Sequence, residues 1–144
     1  MTTPSNLAQY VNNVRNISPY FSDFSTNFDM SPNSGDLALI IDTAAVTQSI
    51  ENIINTFVGE RLYNNTIGSN VMHNLFELGN YAEAENIKSA IMSAIKINEP
   101  RANVIKVDVS IVVGEENIYL ITITYYVINN TVPQTLTVKI KRTR

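Results

Sequence analysis

The spacing of apolar residues changes period along the chain, and the change outlines a fold. Val46, Ile50, Ile53, Ile54 and Phe57 step by three and four, which predicts a helix with one buried face. Asp42 or Thr43 can cap its start and Gly59 can end it. Ser69 can cap a second, shorter helix that turns Val71, Met72, Leu75 and Phe76 inward before Gly79 closes it. Asn80, followed by Glu83, opens a third helix in capping-box form, with Ala84, Ile87, Ile91, Ala94 and Ile95 as its apolar stripe. Beyond it the period falls to two. Ile105, Val107, Val109, Ile111 and Val113 alternate with Lys106, Asp108 and Ser110, as in a strand with one wet face. After a turn at Gly114 to Asn117, Ile118 to Ile128 is apolar on both sides and reads as a central strand. A second turn at Asn129 to Pro133 leads to Leu136, Val138 and Ile140, alternating with Thr135, Thr137, Lys139 and Lys141.

Ahead of the first helix the pattern is weaker. Residues 1–18 are polar and asparagine-rich, which suits an arm or lead-in. Tyr20, Phe24 and Phe28 recur every fourth residue, and the Ser, Thr, Asp and Asn between them favour an extended segment over a helix. Ser31 to Gly35 reads as a turn, and Leu37 to Ile41 as a small strand or a lead into the helix. No internal repeat or Pro-, Gly- or Ser-rich linker divides the chain after this lead-in, so 19–144 is expected to be a single domain. The predicted class is α+β, with helices in the N-terminal two-thirds packed on a mainly antiparallel C-terminal β-meander.

Composition narrows the chemistry. A chain of 144 residues, 44% apolar, with net charge −3, can bury a core and is not expected to be disordered. It has no cysteine, which excludes disulfides, thiolate metal sites and a cysteine nucleophile. His73 alone leaves zinc constellations short of ligands, and it is expected to be an ordinary helix-surface or half-buried histidine. Met1 to Tyr10 lacks the form of a secretory signal, and no apolar run approaches the roughly 20 residues of a membrane span. The expectation is a soluble protein in a reducing compartment, with no cofactor, metal or membrane partner. Between Asn16 and Ile87, Arg61 is the one base among nine acids, while the tail from Lys139 to Arg144 is basic. That tail is too isolated to predict nucleic-acid binding. It is either a solvated terminus or a dock for an acidic partner.

Two stretches place a carboxylate near an arginine at an element boundary. One is Gly59-Glu60-Arg61, followed by Gly68-Ser69 and Leu75-Phe76-Glu77. The other is Glu99-Pro100-Arg101, where the proline helps end the third helix. An arginine fork can hold a carboxylate through two parallel hydrogen bonds. Each tripeptide is common by itself, but the ordered set is specific. It resembles the baseplate wedge family of contractile-tail phages, which has relatives in type VI secretion and other contractile injection machines. Tyr20 to Phe24 and the helix carrying Val46, Gln48, Ser49 and Ile50 also look like family positions, so the resemblance spans about residues 20 to 141. Asn65, where many members have proline, and Ile67, where phenylalanine is common, depart from the pattern within one loop.

The resemblance implies a structural role rather than catalysis. It implies a wedge subunit in the tail baseplate, assembled in the host cytoplasm, that binds other wedge proteins and initiates the tail sheath. Tail tube or hub proteins are further possible neighbours, and a non-phage injection system is the alternative setting. Glu99, Pro100 and Arg101 are then expected at the contact with the wedge core bundle, Arg101 through a bidentate bond. Gly59, Glu60 and Arg61 are expected either to fix their loop or to join an interface. Thr135, Thr137, Lys139 and Lys141 are expected to face outward on a strand that docks sheath. Some members have been labelled lysozyme-like, and Glu60, Glu77 and Glu99 are the carboxylates such an enzyme would need. Glu60 and Glu99 sit beside arginines, which keep a carboxyl ionised and unfit as a general acid, and there is no tryptophan to stack on sugar.

Overall fold

In a computed structural model of the chain, residues 20–32, 35–71, 81–111 and 118–141 are described. They fall into two compact units, Met1–Asp42 and Thr43–Arg144. The boundary expected near residue 18, most of the predicted second helix, His73, Glu77, the Gly114–Asn117 turn and the last three residues lie outside the described residues.

The first unit is a small antiparallel ribbon. Strand β1 (Ser22–Phe24) pairs with β2 (Leu39–Ile41) so that Ser22 faces Ile41 and Phe24 faces Leu39. A further antiparallel bridge joins Met30 to Leu37. The extended reading of the Tyr20–Phe28 stretch holds for Ser22–Phe24 only, since Ser25–Phe28 turns with the Phe28 N–H on the Ser25 carbonyl, while the small-strand reading of Leu37–Ile41 holds. Gly35 sits at φ 69° in the expected turn, donating its N–H to the Ser31 carbonyl at 3.0 Å. Asp42 closes the ribbon instead of capping a helix. It takes a left-handed φ of 49°, and its Oδ1 accepts the Tyr20 and Phe21 N–H groups at 2.9 and 3.3 Å. Aspartate tolerates that conformation better than most residues.

The second unit carries helices on one face of a three-stranded sheet. Helix α1 (Thr43–Asn55) buries Ala45, Val46, Ile50, Ile53 and Ile54. It stops at Asn55, short of the end expected at Gly59. Thr56 Oγ1 turns back to the Asn52 carbonyl at 2.6 Å, and Phe57 leaves the helix to bridge Ser69 in parallel. Phe57 is therefore exposed and not part of the core face. Helix α2 (Tyr81–Asn98) buries Ile87, Ile91, Ala94 and Ile95 of the stripe read from the sequence and leaves its first member, Ala84, half-buried. Of the predicted middle helix, Ser69 and Val71 are seen, both buried.

Strands β3 (Ala102–Ile111), β4 (Ile118–Val127) and β5 (Gln134–Lys141) form an antiparallel meander in the order β3-β4-β5. The sheet's inner face is built from cross-strand sets such as Val109–Ile121–Val138 and Val107–Ile123–Leu136. Ile121, Ile123, Tyr125 and Val127 of β4 are all buried, as a central strand requires. Tyr125 places its hydroxyl 2.7 Å from Thr47 Oγ1 of α1, which itself donates to the Thr43 carbonyl at 2.6 Å. A hydroxyl has one proton to give, so the tyrosine donates, and its buried polar tip is satisfied. The register of β3 shifts between Val104 and Lys106. This bulge at Ile105 re-aims the strand, so Ala102 and Val104 face inward before it and Val107 and Val109 after it. Ile105, read as a core residue from strict alternation, is instead 50% exposed. On the outer face Lys106 and Asp108 form an exposed ion pair at 2.7 Å, a geometry that contributes little stability.

Candidate functional site

The Glu99-Pro100-Arg101 stretch is the turn between α2 and β3. Glu99 N–H still closes the helix on the Ile95 carbonyl at 2.7 Å, and its own carbonyl accepts the Ala102 N–H at 3.1 Å. The exposed proline between them stops the helix without breaking this tight reversal. The Glu99 side chain folds inward and is 2% exposed. Arg101 bonds it in fork fashion, Nε to Oε1 at 2.6 Å and Nη2 to Oε2 at 2.7 Å. The Arg101 fork is thus engaged with a carboxylate of its own chain, whereas the bidentate bond expected of it is one across a subunit contact. Burial pushes the Glu99 carboxyl up, but hydrogen bonds from Arg101 and Ser49 and the guanidinium charge outweigh it, leaving the pKa below its ordinary value. The pair ties α1, through Ser49, to the α2–β3 turn. The Arg101 carbonyl extends the tie by accepting the Ile128 N–H at the end of β4.

The Gly59-Glu60-Arg61 stretch lies in a closed loop whose ends are joined by the Ser69 N–H to the Thr56 carbonyl at 2.9 Å. Gly59, at φ 92°, occupies a turn in which Glu60 N–H bonds the Phe57 carbonyl, and its own N–H reaches Asn65. Glu60 Oε2 accepts the Phe57 N–H at 2.9 Å, so this carboxylate fixes the loop. Gly68 is required by its neighbours. At φ 137°, any Cβ there would stand 2.7 Å from the Thr56 carbonyl oxygen. Ser69 Oγ donates to the Ile54 carbonyl, one of the acceptors left over at the end of α1. The loop thereby holds Arg61, Leu62 and Tyr63 in solvent, the last two 91% and 102% exposed. Asn98 Nδ2 reaches the Gly68 carbonyl at 3.4 Å, which brings the end of α2 beside this loop.

The third group of expected residues forms a sheet edge. Thr135, Thr137, Lys139 and Lys141 are exposed, while Val138 and Ile140 are buried and Leu136 is half-buried, as the alternation predicts. Beyond these, α2 and β3 enclose a groove of about 600 Å³, with Met92 and Lys96 on one wall and Val104 and Val107 on the other. Nothing in the residue pattern announced that groove, because both its walls read as ordinary amphipathic elements.

The description that fits these features comes from comparison. A family model for "Baseplate wedge protein gp25" matches residues 42–132, more than half of the chain. The chain belongs to this family. The match begins at Asp42, so the Tyr20–Phe24 positions fall outside it. No curated protein matches the chain. Among solved structures, a subunit of the anti-feeding prophage baseplate is similar over 77% of this chain and 88% of its own, at 26% identity and TM-score 0.68. A candidate tail lysozyme from Geobacter sulfurreducens shares the fold at 24% identity and TM-score 0.67, covering 74% of this chain and 98% of its own. A chain of the postcontracted pyocin R2 baseplate is 18% identical, with TM-score 0.49 over 78% of this chain and 96% of its own. The wedge family assignment makes this chain a structural component of a contractile-tail baseplate. Among the described residues no group of His, Asp or Glu is placed to hold a metal ion, and no helix is long and apolar enough to cross a membrane.

Proposed function

We propose that the chain is a baseplate wedge subunit that binds neighbouring wedge proteins and starts the tail sheath. The observation that supports this best is the edge of β5. That strand has β4 on one side and no strand of the described residues on the other. Its inner residues anchor it to the core, so the edge is held open and rigid for an extended arm of the sheath protein to add as a further strand. The exposed lysines at 139 and 141 select an arm carrying acidic residues. In this reading the wedge-facing contacts belong to the Glu99-Pro100-Arg101 turn and the Gly59-Glu60-Arg61 loop, which the bond from Asn98 to the Gly68 carbonyl holds near each other. Arg101 keeps 31% of its side chain exposed and can meet a core-bundle helix without leaving Glu99.

The hydrolase reading loses ground on the same geometry. Glu99 is saturated by Arg101 and Ser49 and its carboxyl is held below the ordinary range, opposite to what a general acid needs. Glu60 is committed to its own loop backbone.

The test is assembly with the double variant Lys139→Glu, Lys141→Glu. With melting of the free variant unchanged, it is expected to enter baseplates as the parent does but to yield tube-bearing tails without full sheath in electron micrographs. Sheath of normal length on particles carrying the variant would refute docking at this strand.

A further inference from the structure

The three-stranded sheet has a second edge. Strand β3 pairs with β4 on one side, and no strand of the described residues lies on the other. In an antiparallel ladder alternate residues turn their N–H and C=O groups to one neighbour. The Ile128 N–H on the Arg101 carbonyl sets the phase along β4. Lys106, Asp108 and Ser110 therefore give their backbone groups to β4, and Val107 and Val109 turn theirs outward. The bulge at Ile105 lies ahead of this stretch, and the ladder is regular from Lys106 to Ile111. An outward row of this kind is a template for a further strand.

The groove beside α2 runs along the same edge. Val104 and Val107 form its β3 wall, and Met92, 45% exposed, belongs to its α2 wall. Residues opposite each other on paired strands share a face. Side chains of an added strand that stand opposite Val107 and Val109 therefore enter the groove. Charge indicates what that strand carries. Helix α2 turns straight back into β3 at Glu99–Arg101, so Lys96 lies at the turn end of the groove and Glu85 and Lys88 at the far end. Glu85 and Lys88 are bound to each other at 2.6 Å. Lys96 is exposed and has no ion-pair partner among the described residues.

We infer that this groove takes an extended segment of another baseplate protein, which adds to β3 as a strand, lays apolar side chains over Met92 and sets a carboxylate on Lys96. The chain's own ends do not match that chemistry. Residues 1–19 hold no acid and one arginine, Arg15, and the tail from Lys139 is basic. The β5 edge of a second copy would turn only Leu136, Val138 and Ile140 to the groove side, with no carboxylate for Lys96. The inference rests on the baseplate reading above, but it uses the sheet edge opposite the one assigned to sheath.

The experiment uses the full chain with Met92 replaced by the photo-crosslinker p-benzoylphenylalanine, irradiated within purified tail baseplates. Mass spectrometry is expected to find the crosslink on a different baseplate protein, in a stretch of alternating apolar residues with Asp or Glu close by. Hydrogen exchange is expected to show the Val107 and Val109 amides protected in baseplates but not in the free chain. Lys96→Glu is expected to lower the crosslink yield roughly tenfold with unchanged melting of the free chain, and Lys96→Arg to restore it. Crosslinks confined to a second copy or to a stretch without an acid, unprotected Val107 and Val109 amides, or an undiminished yield from Lys96→Glu would each overturn the inference. So would the absence of any crosslink from baseplates that carry the chain, and all of these would leave the wedge reading standing. Baseplates that lack even the parent chain would overturn both.

Discussion

Val107, Ile121, Ile123, Val138 and Ile140 lie on one face of three paired strands and are buried. Leu39 and Ile41 of β2, with the bridged Leu37 just before it, alternate just as regularly and are exposed. The residue types are the same and so is the period. The difference is a second layer. In the Thr43–Arg144 unit, α1 and α2 bring their own apolar stripes to the sheet, and each buried side chain there gains about 1.5–3 kcal/mol over exposure. Alternation therefore tells which residues share a face but not which molecule covers it.

The contrast can be broken most sharply at the sheet centre. Ile121→Ala is expected to lower stability by about 2–5 kcal/mol, because the fully buried site has little freedom to collapse. Chemical denaturation of the free chain would measure it. A loss below about 1 kcal/mol would mean the unit is not tightly packed.

Next in size is the Glu99–Arg101 pair. Arg101→Ala leaves a buried carboxylate without its fork, which is expected to cost about 3 kcal/mol at neutral pH, the low end for such a loss because Arg101 is partly exposed. The pH dependence comes from the sign of the shift. Glu99 is held below its ordinary value of 4.5, so its contribution is full above that pH and is lost as pH falls through the lowered folded value. Glu99→Gln should therefore destabilise the chain at neutral pH and flatten its acid unfolding between roughly pH 5 and pH 2, where carboxylates titrate. An unchanged acid branch in the variant would remove Glu99 from the account.

Gly68→Ala is expected to lower stability by about 1–3 kcal/mol, since the new Cβ meets the Thr56 carbonyl at a φ that side chains rarely adopt. Thermal melting checks it. The smallest effect belongs to the ribbon: Leu39→Ser in the free chain is expected to change stability by less than about 0.5 kcal/mol. A loss comparable to that at Ile121 would show that the ribbon face is covered within the chain.

Legibility depended on how local the cause was. The faces of α1, apart from Phe57, and of α2, apart from the half-buried Ala84, and the outward set Thr135, Thr137, Lys139 and Lys141 come from spacing alone, and the structure agrees. Ile105 was misread because a bulge is one extra residue in a ladder, invisible until the partner strand fixes the register. The end of α1 was misplaced because Thr56 and Ser69 take its last carbonyls before Gly59 is reached, a closure made across the loop. In Glu99-Pro100-Arg101 a carboxylate within reach of an arginine fork could be read from the residue types, but its burial could not. Two charges flanking a proline look solvated in sequence, and only the fold turns one of them inward toward Ser49.

The most direct test of the central claim is a cryo-EM reconstruction of the baseplate from particles that encode this chain. The account predicts the Thr43–Arg144 unit in the wedge, its β5 edge continued by a strand of the first sheath ring. A baseplate without this chain, or a β5 edge open to solvent beneath a fully formed sheath, would contradict it.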